Sequence, residues 1–366
     1  MRPKLPVTIT DVAEKADVSI ATVSRVINDV GTAREDTVKR VWKAIEDVGY
    51  KPTPKQNRNT LDNATQSKFR HTHLAFLRIG EFDPDAQSPV TRHLEEAIRK
   101  AAESQGHFFT SHSVVDLSSA PARQIVGNAE GLIIRTSNIS DLDHDVVAWL
   151  DRIPAVRVLG ESRTGRHWFD HLGPDNGQVG ALAAEYLMGK GCDRLVFAST
   201  NVNIRSVGLD RCTSFVKSAE ASGVQCQIYF QAHPSEITLV KKSLSHLTAQ
   251  CYVFGKRHDL IRQLAKENSD RFGLFAPTDL ELSTIMPQLE MVGVDFQNRC
   301  PVIGCDRELR CFTGLTPQPA TMDLLIDNLA ERAIRRLLFR MENPDEPLVR
   351  MMVSPQLVLP GTLDQL

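Results

Sequence analysis

The sequence predicts a small all-α module followed by a larger α/β body built from two lobes, each a doubly wound parallel sheet. Three observations predict it. Apolar residues recur at helical spacing three times between residues 8 and 48, the stretch from about 51 to 72 is polar, and short apolar runs then alternate with amphipathic helical segments. At 366 residues and 42% hydrophobic content the chain exceeds one ordinary domain and can bury a sizeable core.

Taken in order, the first helix opens at Thr8, with Asp11 three residues later as in a capping box, and carries Ile9, Val12, Ala13 and Ala16 on one side. Val18 and Ser19 break the pattern. Ser19 is a capping residue type, and Val23, Val26 and Ile27 give a second helix its apolar side. A third helix carries Val38, Val41, Ile45 and Val48 and stops at Gly49. The run KPTPKQNRNTLDNATQSKFRHT has few large apolar residues and reads as a linker. Beyond it, HLAFLRI, HFFTSH, GLIIR, AVRVLG, RLVFAST, CQIYF, CYVFG, FGLFA and PVIGCD read as strands, and VTRHLEEAIRKAAESQG and QVGALAAEYLMGKG as helices between strands. About nine strands over nearly 300 residues exceed one such sheet, hence two lobes.

Composition excludes several classes. No apolar stretch approaches the roughly eighteen residues of a membrane span and the start MRPKLPVTITDV has no apolar run, so a cytoplasmic protein is expected. The seven cysteines form no CxxC pair and no array at zinc spacing, and His71 and His73 stand alone, so reduced thiols and no metal or cofactor are expected. No GxGxxG follows a strand and there is no GxxxxGK[ST] or GxSxG, which argues against an enzyme. The formal charge of −2 is unevenly placed. Residues 1 to 70 hold thirteen Lys and Arg against nine Asp and Glu, a net +4 that leaves −6 for the rest. A basic end on an acidic body confines any nucleic-acid contact to the first segment.

The segment TITDVAEKADVSIATVSRVIN, residues 8 to 28, resembles the helix-turn-helix DNA-binding headpiece of the LacI/GalR family of bacterial regulators, with Asp11, Val12, Ala13, Val18, Ser19, Thr22, Val23, Ser24, Arg25, Val26 and Asn28 on motif positions. The resemblance assigns base reading in a major groove to Ile20, Ala21 and Arg25, and phosphate contact to Thr8, Ser19, Thr22, Ser24 and Asn28. Arg25 is the long donor on the exposed face, suited to guanine O6 and N7. Arg34 stands where a serine-type cap is usual and is either a phosphate contact or a solvated charge. In the linker, Asn59 takes the place of the family's minor-groove leucine and the nearest leucine is Leu61. Lys55, Asn57 and Arg58 then serve as polar minor-groove or phosphate contacts, or Leu61 supplies the wedge.

The resemblance continues through LGPDNGQVGALAAEYLMGKGCDRLVF, residues 172 to 197, and through RSVGLDRCTSF, FAPTDLEL, PVIGCDRE and LTPQPATMD. It implies a periplasmic-binding-protein-like body, with a headpiece at 7–50, a hinge at 51–72 and a body at 73–366. Lobe one is expected at about 73–173 and 317–343, lobe two at about 174–316 and 344–366. The resemblance places a small-molecule effector, most readily a sugar, between the lobes, with Arg211 and Asp306 as contacts, Thr278 where asparagine is common, and Arg78 and Glu161 charged near the cleft. Arg78 either selects an acidic ligand or pairs with Glu161. The implied partners are a palindromic double-stranded operator and a second copy, since one small headpiece reads few base pairs and no heptad run follows MMVSPQLVLPGTLDQL to zip dimers into a tetramer. A DNA-binding protein with an effector-blind body, and more remotely a transport-type sugar-binding protein or an enzyme, are the alternative readings.

Overall fold

The computed structural model describes residues 9–19, 22, 23, 26, 35–48, 72–79, 88–114, 118, 120–136, 153–160, 169–202, 207–267, 271–296 and 300–360. The chain divides into two compact units, residues 1–68 and 69–366.

In the first unit, α1 (Ile9–Ala16) packs against α2 (Glu35–Val48). Val12, Ala13, Ala16, Val23, Val26, Val41, Ala44 and Ile45 form its core. These are the apolar positions of the helical spacing, and each fully buried valine contributes about 1.5 kcal/mol or more. α1 ends through Asp17, which adopts a left-handed φ of 52° so that the Val18 N–H can reach the Ala13 carbonyl at 3.1 Å. Ser19 then caps the next helical segment, its Oγ accepting from the Thr22 N–H at 3.1 Å. Thr8, Arg34 and Gly49 lie outside the described residues.

The second unit alternates strand and helix: β1 (His73–Ile79), α3 (Pro89–Ser104), β2 (Phe108–Val114), α4 (Ala120–Asn128), β3 (Gly131–Thr136), β4 (Ala155–Val158) and β5 (Asp170–Pro174), followed by α5 (Asn176–Gly189), β6 (Arg194–Val202), α6 (Val207–Ala221), β7 (Gln225–Ala232), α7 (Ile237–Ser243) and β8 (Gln250–Phe254). Then come α8 (Arg257–Glu267), β9 (Gly273–Phe275), α9 (Asp279–Met291), β10 (Val302–Cys305), a 3-10 turn (Leu309–Phe312), β11 (Ala320–Asp323), α10 (Ile326–Glu342), β12 (Arg350–Val353) and β13 (Gln356–Val358). Two sheets result. The first has order β12-β5-β4-β3-β1-β2 and the second β13-β11-β10-β9-β6-β7-β8. All pairings are parallel except that of β11 with β13. The central strands β1, β3, β4, β9 and β10 are buried on both faces and so read as apolar runs.

The lobe boundaries differ from expectation late in the chain. Residues 317–343 were expected in lobe one, but β11 pairs with β10 in the second sheet. Residues 344–366 were expected in lobe two, but β12 pairs with β5 in the first. Only α10 of the expected segment belongs to lobe one, where it packs on α3, β3, β4 and β5. The backbone decides this: β11 completes the ladder beside β10, and the His171 and Asp175 N–H groups each need a carbonyl, found on Val349 and Val353 at 2.9 Å. The chain therefore crosses between lobes three times, after Pro174, Asp323 and Val353.

One buried cluster ties β5 to α10 and to the segment that leads into β12. Asp170, fully buried on β5, accepts from Arg336 Nε (2.7 Å) and Nη2 (3.1 Å), from Arg340 Nε and Nη2 (both 3.0 Å), and from the Val349 N–H at 2.8 Å. Burial alone would push this carboxyl up, but the Arg340, Arg336 and Val349 hydrogen bonds hold it below its ordinary value.

Candidate functional site

The carboxyl ends of the second-lobe strands and the adjoining helix starts converge on a few polar side chains, the position at which open α/β sheets bind ligands. Arg211 reaches this point from α6, which lies unusually close to α5. A Cβ on Gly180 of α5 would collide with the Arg211 carbonyl, the Ser214 hydroxyl and the Phe215 N–H, so only glycine permits the crossing. The Arg211 side chain is 3% exposed. Its Nε donates to Asn176 Oδ1 at 2.9 Å and its Nη1 to the Pro277 carbonyl, with Asp306 Oδ1 at 3.4 Å. Nη2 has no partner among the described residues. Asn176 is the first residue of α5, whose cap Asp175 accepts from the Gln178 N–H at 3.0 Å.

Asp306 follows β10 with a φ of 109°, and Arg307 follows with 55°. Two successive non-glycine residues at positive φ cost on the order of 1 to 3 kcal/mol each, which the surrounding hydrogen bonds must offset. They do so through the Asp306 N–H to the Met322 carbonyl (2.9 Å), the Arg307 N–H to Thr321 Oγ1 (3.2 Å) and the Glu308 N–H to Asp279 Oδ2 (2.8 Å). Arg307 Nη1 also binds Asp323 Oδ2 at 2.9 Å, joining the strand end to the crossing into α10. Burial pushes the Asp306 carboxyl up to about 6, although Arg211 pulls the other way. Behind it, burial drives Asp279 well above the carboxylate range. The Thr321 hydroxyl donates to both of its oxygens (2.8 and 2.9 Å), and Gly304 leaves room where a Cβ would strike the carboxyl.

The sequence-selected residues fare differently. Arg211 and Asp306 are brought together. Thr278 is the N-cap of α9, its hydroxyl accepting from the Glu281 N–H at 3.1 Å. Arg78, near the carboxyl end of β1, has Glu95 Oε2 at 3.7 Å from its Nε. Glu161 lies outside the described residues. Sequence reasoning passed over Asn176, Asp279 and Glu281. The last accepts from both the Ser199 hydroxyl and the Thr200 N–H at 2.6 Å, at the end of β6. The available signal was the pair of carboxylates, Asp279 and Glu281, in the first turn of one helix directly after an apolar strand. Separately, a cavity of about 550 Å³ opens between the lobes, with Pro89 and Arg92 of α3 on one side and Leu280 and Ser283 of α9 on the other. Neither Arg211 nor Asp306 lines it.

In the first unit, Ser19 is exposed and its Oγ lies 2.9 Å from Thr22 Oγ1. Thr8, Ile20, Ala21, Ser24, Arg25 and Asn28, and the hinge residues Lys55, Asn57, Arg58 and Leu61, lie outside the described residues. No helix among those described is long and apolar enough to cross a membrane.

A small helical unit in a chain whose body has two parallel-sheet lobes, crossed three times and carrying an arginine–carboxylate pair at strand ends, defines a periplasmic-binding-protein-like architecture with a helical headpiece. Comparison with known proteins gives the family. Residues 8–53 match the family described as bacterial regulatory proteins, lacI family. The chain is 30% identical over 218 residues to the HTH-type transcriptional regulator MalR of Streptococcus pneumoniae serotype 4 (strain ATCC BAA-334 / TIGR4), a match covering 58% of this chain and 62% of MalR. The chain thus spans under two thirds of that relative's length. It is 23% identical over 355 residues to the HTH-type transcriptional repressor PurR of Proteus mirabilis (strain HI4320), covering 96% of this chain and 95% of PurR. Among solved structures, the transcriptional regulator CelR–cellobiose complex shares the fold at a TM-score of 0.59, with 18% identity and coverage of 98% and 99%. Residues 8–53 thus match the lacI family of bacterial regulatory proteins, and the rest of the chain is similar to regulators that carry such a domain.

Proposed function

We propose that this protein is a sequence-specific DNA-binding transcriptional regulator, a repressor, whose operator affinity is set by a small polar molecule held between the two lobes at Arg211 and Asp306. The observation that carries the reading is the buried Arg211–Asp306 pair at the strand ends, with one guanidinium nitrogen lacking a partner among the described residues. A guanidinium fork and a carboxylate together suit vicinal hydroxyls, and the relative solved with cellobiose makes a sugar the leading ligand class. A ligand that binds the open and closed lobe arrangements unequally shifts the balance between them, and three crossings give that shift a route through the body.

The headpiece reads bases through Ile20, Ala21 and Arg25 and grips phosphates through Thr8, Ser19, Thr22, Ser24 and Asn28. Lys55, Asn57, Arg58 and Leu61 contribute in the hinge. Two copies act on a palindromic operator in the cytoplasm, because one headpiece reads too few base pairs for useful affinity. The protein is not an enzyme on this reading.

One observation favours a second reading, an effector-blind body: Arg211 already satisfies Asn176 and the Pro277 carbonyl. The test is a thermal-shift screen of sugars and their derivatives on the full chain, followed by operator titration with and without the hit. A ligand-dependent change in operator affinity that Arg211→Ala removes supports the effector reading. A hit whose effect survives Arg211→Ala moves the site elsewhere.

A further inference from the structure

Two strained backbone positions in the body share one carboxylate. Arg307 follows Asp306 in the turn after β10, at a left-handed φ of 55°. Leu325, at a left-handed φ of 54°, is the N-cap residue of α10 and brings no side-chain cap bond to it. Asp323, the last residue of β11, connects the two. Its Oδ1 accepts from the Leu325 N–H at 2.8 Å and its Oδ2 from Arg307 Nη1 at 2.9 Å. Solvent reaches this pair only in part, since the Asp323 side chain is 13% exposed. At the other two crossings the backbone makes the tie, the Asp175 N–H donating to the Val353 carbonyl at 2.9 Å. The crossing after Asp323 instead takes a side-chain contact from the turn that carries Asp306. The helix it starts packs on α3, β3, β4 and β5 of the first lobe.

We propose that Arg307 and Asp323 form a latch that passes the state of the Asp306 turn to the start of α10, which makes Arg307 a positioning residue for the response to a bound ligand. The proposal rests on the effector reading of this site and goes beyond it by naming the groups that carry the signal out of the second lobe. Asp306 and Arg307 share one peptide unit. Because that unit is planar, rotating it to suit a ligand at Asp306 also swings the Arg307 side chain. The guanidinium then either keeps Asp323 or releases it. A released Asp323 can turn away from the Leu325 N–H, and a non-glycine residue at positive φ stays there only while its surroundings hold it. Lobe rotation needs a backbone change of this kind at a crossing.

The test uses the full chain, operator DNA selected by the wild type from a random duplex pool, and glucose, ribose, cellobiose, glucuronate and glucose 6-phosphate as probes. Calorimetry gives the Kd of each probe that binds, and the ratio of operator Kd with and without it gives the response. Arg307→Gly deletes the guanidinium, while glycine accepts the left-handed turn without a Cβ penalty. Asp323→Asn keeps an acceptor for Leu325 and sets an NH2 against Arg307. Each variant should leave the probe Kd within about threefold and lower the response by about threefold or more. The double variant should lose no more than either alone, because both changes remove one contact. Arg307→Lys keeps a charge facing Asp323 and should recover part of the response. An unchanged response in both folded single variants, or losses that add in the double variant, overturns the latch and leaves the effector reading standing. A probe Kd weakened about tenfold by Arg307→Gly also overturns it, since Arg307 would then be a ligand contact. If no probe both binds the wild type and changes its operator affinity, the effector reading falls and the latch with it. Should Arg307→Gly not fold, Asp323→Asn and Arg307→Lys decide.

Discussion

Removing the charge of Asp170 should destabilise the body by about 3 to 5 kcal/mol. In Asp170→Asn the side chain keeps one oxygen and places an NH2 where an acceptor stood, facing guanidinium donors. Four of the five hydrogen bonds into the carboxylate come from Arg336 and Arg340. The two arginine side chains are only 14% and 8% exposed, so water cannot take over the lost contacts. Deleting one partner of a buried ion pair costs about 3 to 5 kcal/mol because the other charge is left uncompensated. The remaining hydrogen bonds of Arg340, to the carbonyls of Asn343, Pro344, Glu346 and Pro347, keep the loss from growing further. Urea unfolding at pH 7 measures it. The pH dependence gives a second check. The folded-state pKa of Asp170 lies below its unfolded value of about 3.9, so its contribution is complete above that pH and disappears as pH falls through the folded-state value. Wild-type and variant stabilities should therefore converge only in strong acid. A loss below about 1 kcal/mol at pH 7, or a difference that persists undiminished at pH 2, would refute the reasoning.

Two further outcomes follow from the site. Asp306 has its carboxyl raised to about 6, so its ionisation between its unfolded pKa and that value costs stability as pH rises through the window. Asp306→Asn should stabilise the protein at pH 7 and, on the effector reading, abolish a sugar's thermal shift, and should leave stability at pH 4 nearly unchanged; destabilisation at pH 7 would contradict this. Gly180→Ala should cost about 3 kcal/mol in urea unfolding and displace Arg211, because two of the atoms it strikes are backbone. Gly127→Ala on α4, where a Cβ meets nothing within 4 Å, should instead be neutral or stabilise by up to about 1 kcal/mol; equal effects at the two glycines would show that helix propensity alone is at work.

Much of the architecture was legible because periodicity and burial are local properties. The apolar spacings of residues 9 to 48 name the headpiece core, and the nine apolar runs mark β1–β4 and β6–β10. Sequence alone missed β5, β11, β12 and β13. β5 reads DHLGP because its buried face holds a carboxylate that two arginines, 166 and 170 residues away, neutralise. β12 and β13 are edge strands with exposed side chains, so no apolar run announces them. Their sheet membership rests on backbone pairing, to which the side-chain pattern is blind. For the site, the resemblance pointed to a cation in α6 and a carboxylate after β10, and the structure brings the two together. Tertiary structure alone decided that Arg211 spends its Nε and Nη1 on Asn176 and Pro277, that Thr278 caps a helix, and that Glu281 of α9 is held at the end of β6. A side chain's chemistry is written in the sequence, but its availability depends on which groups from distant segments reach it first, and only packing sets that.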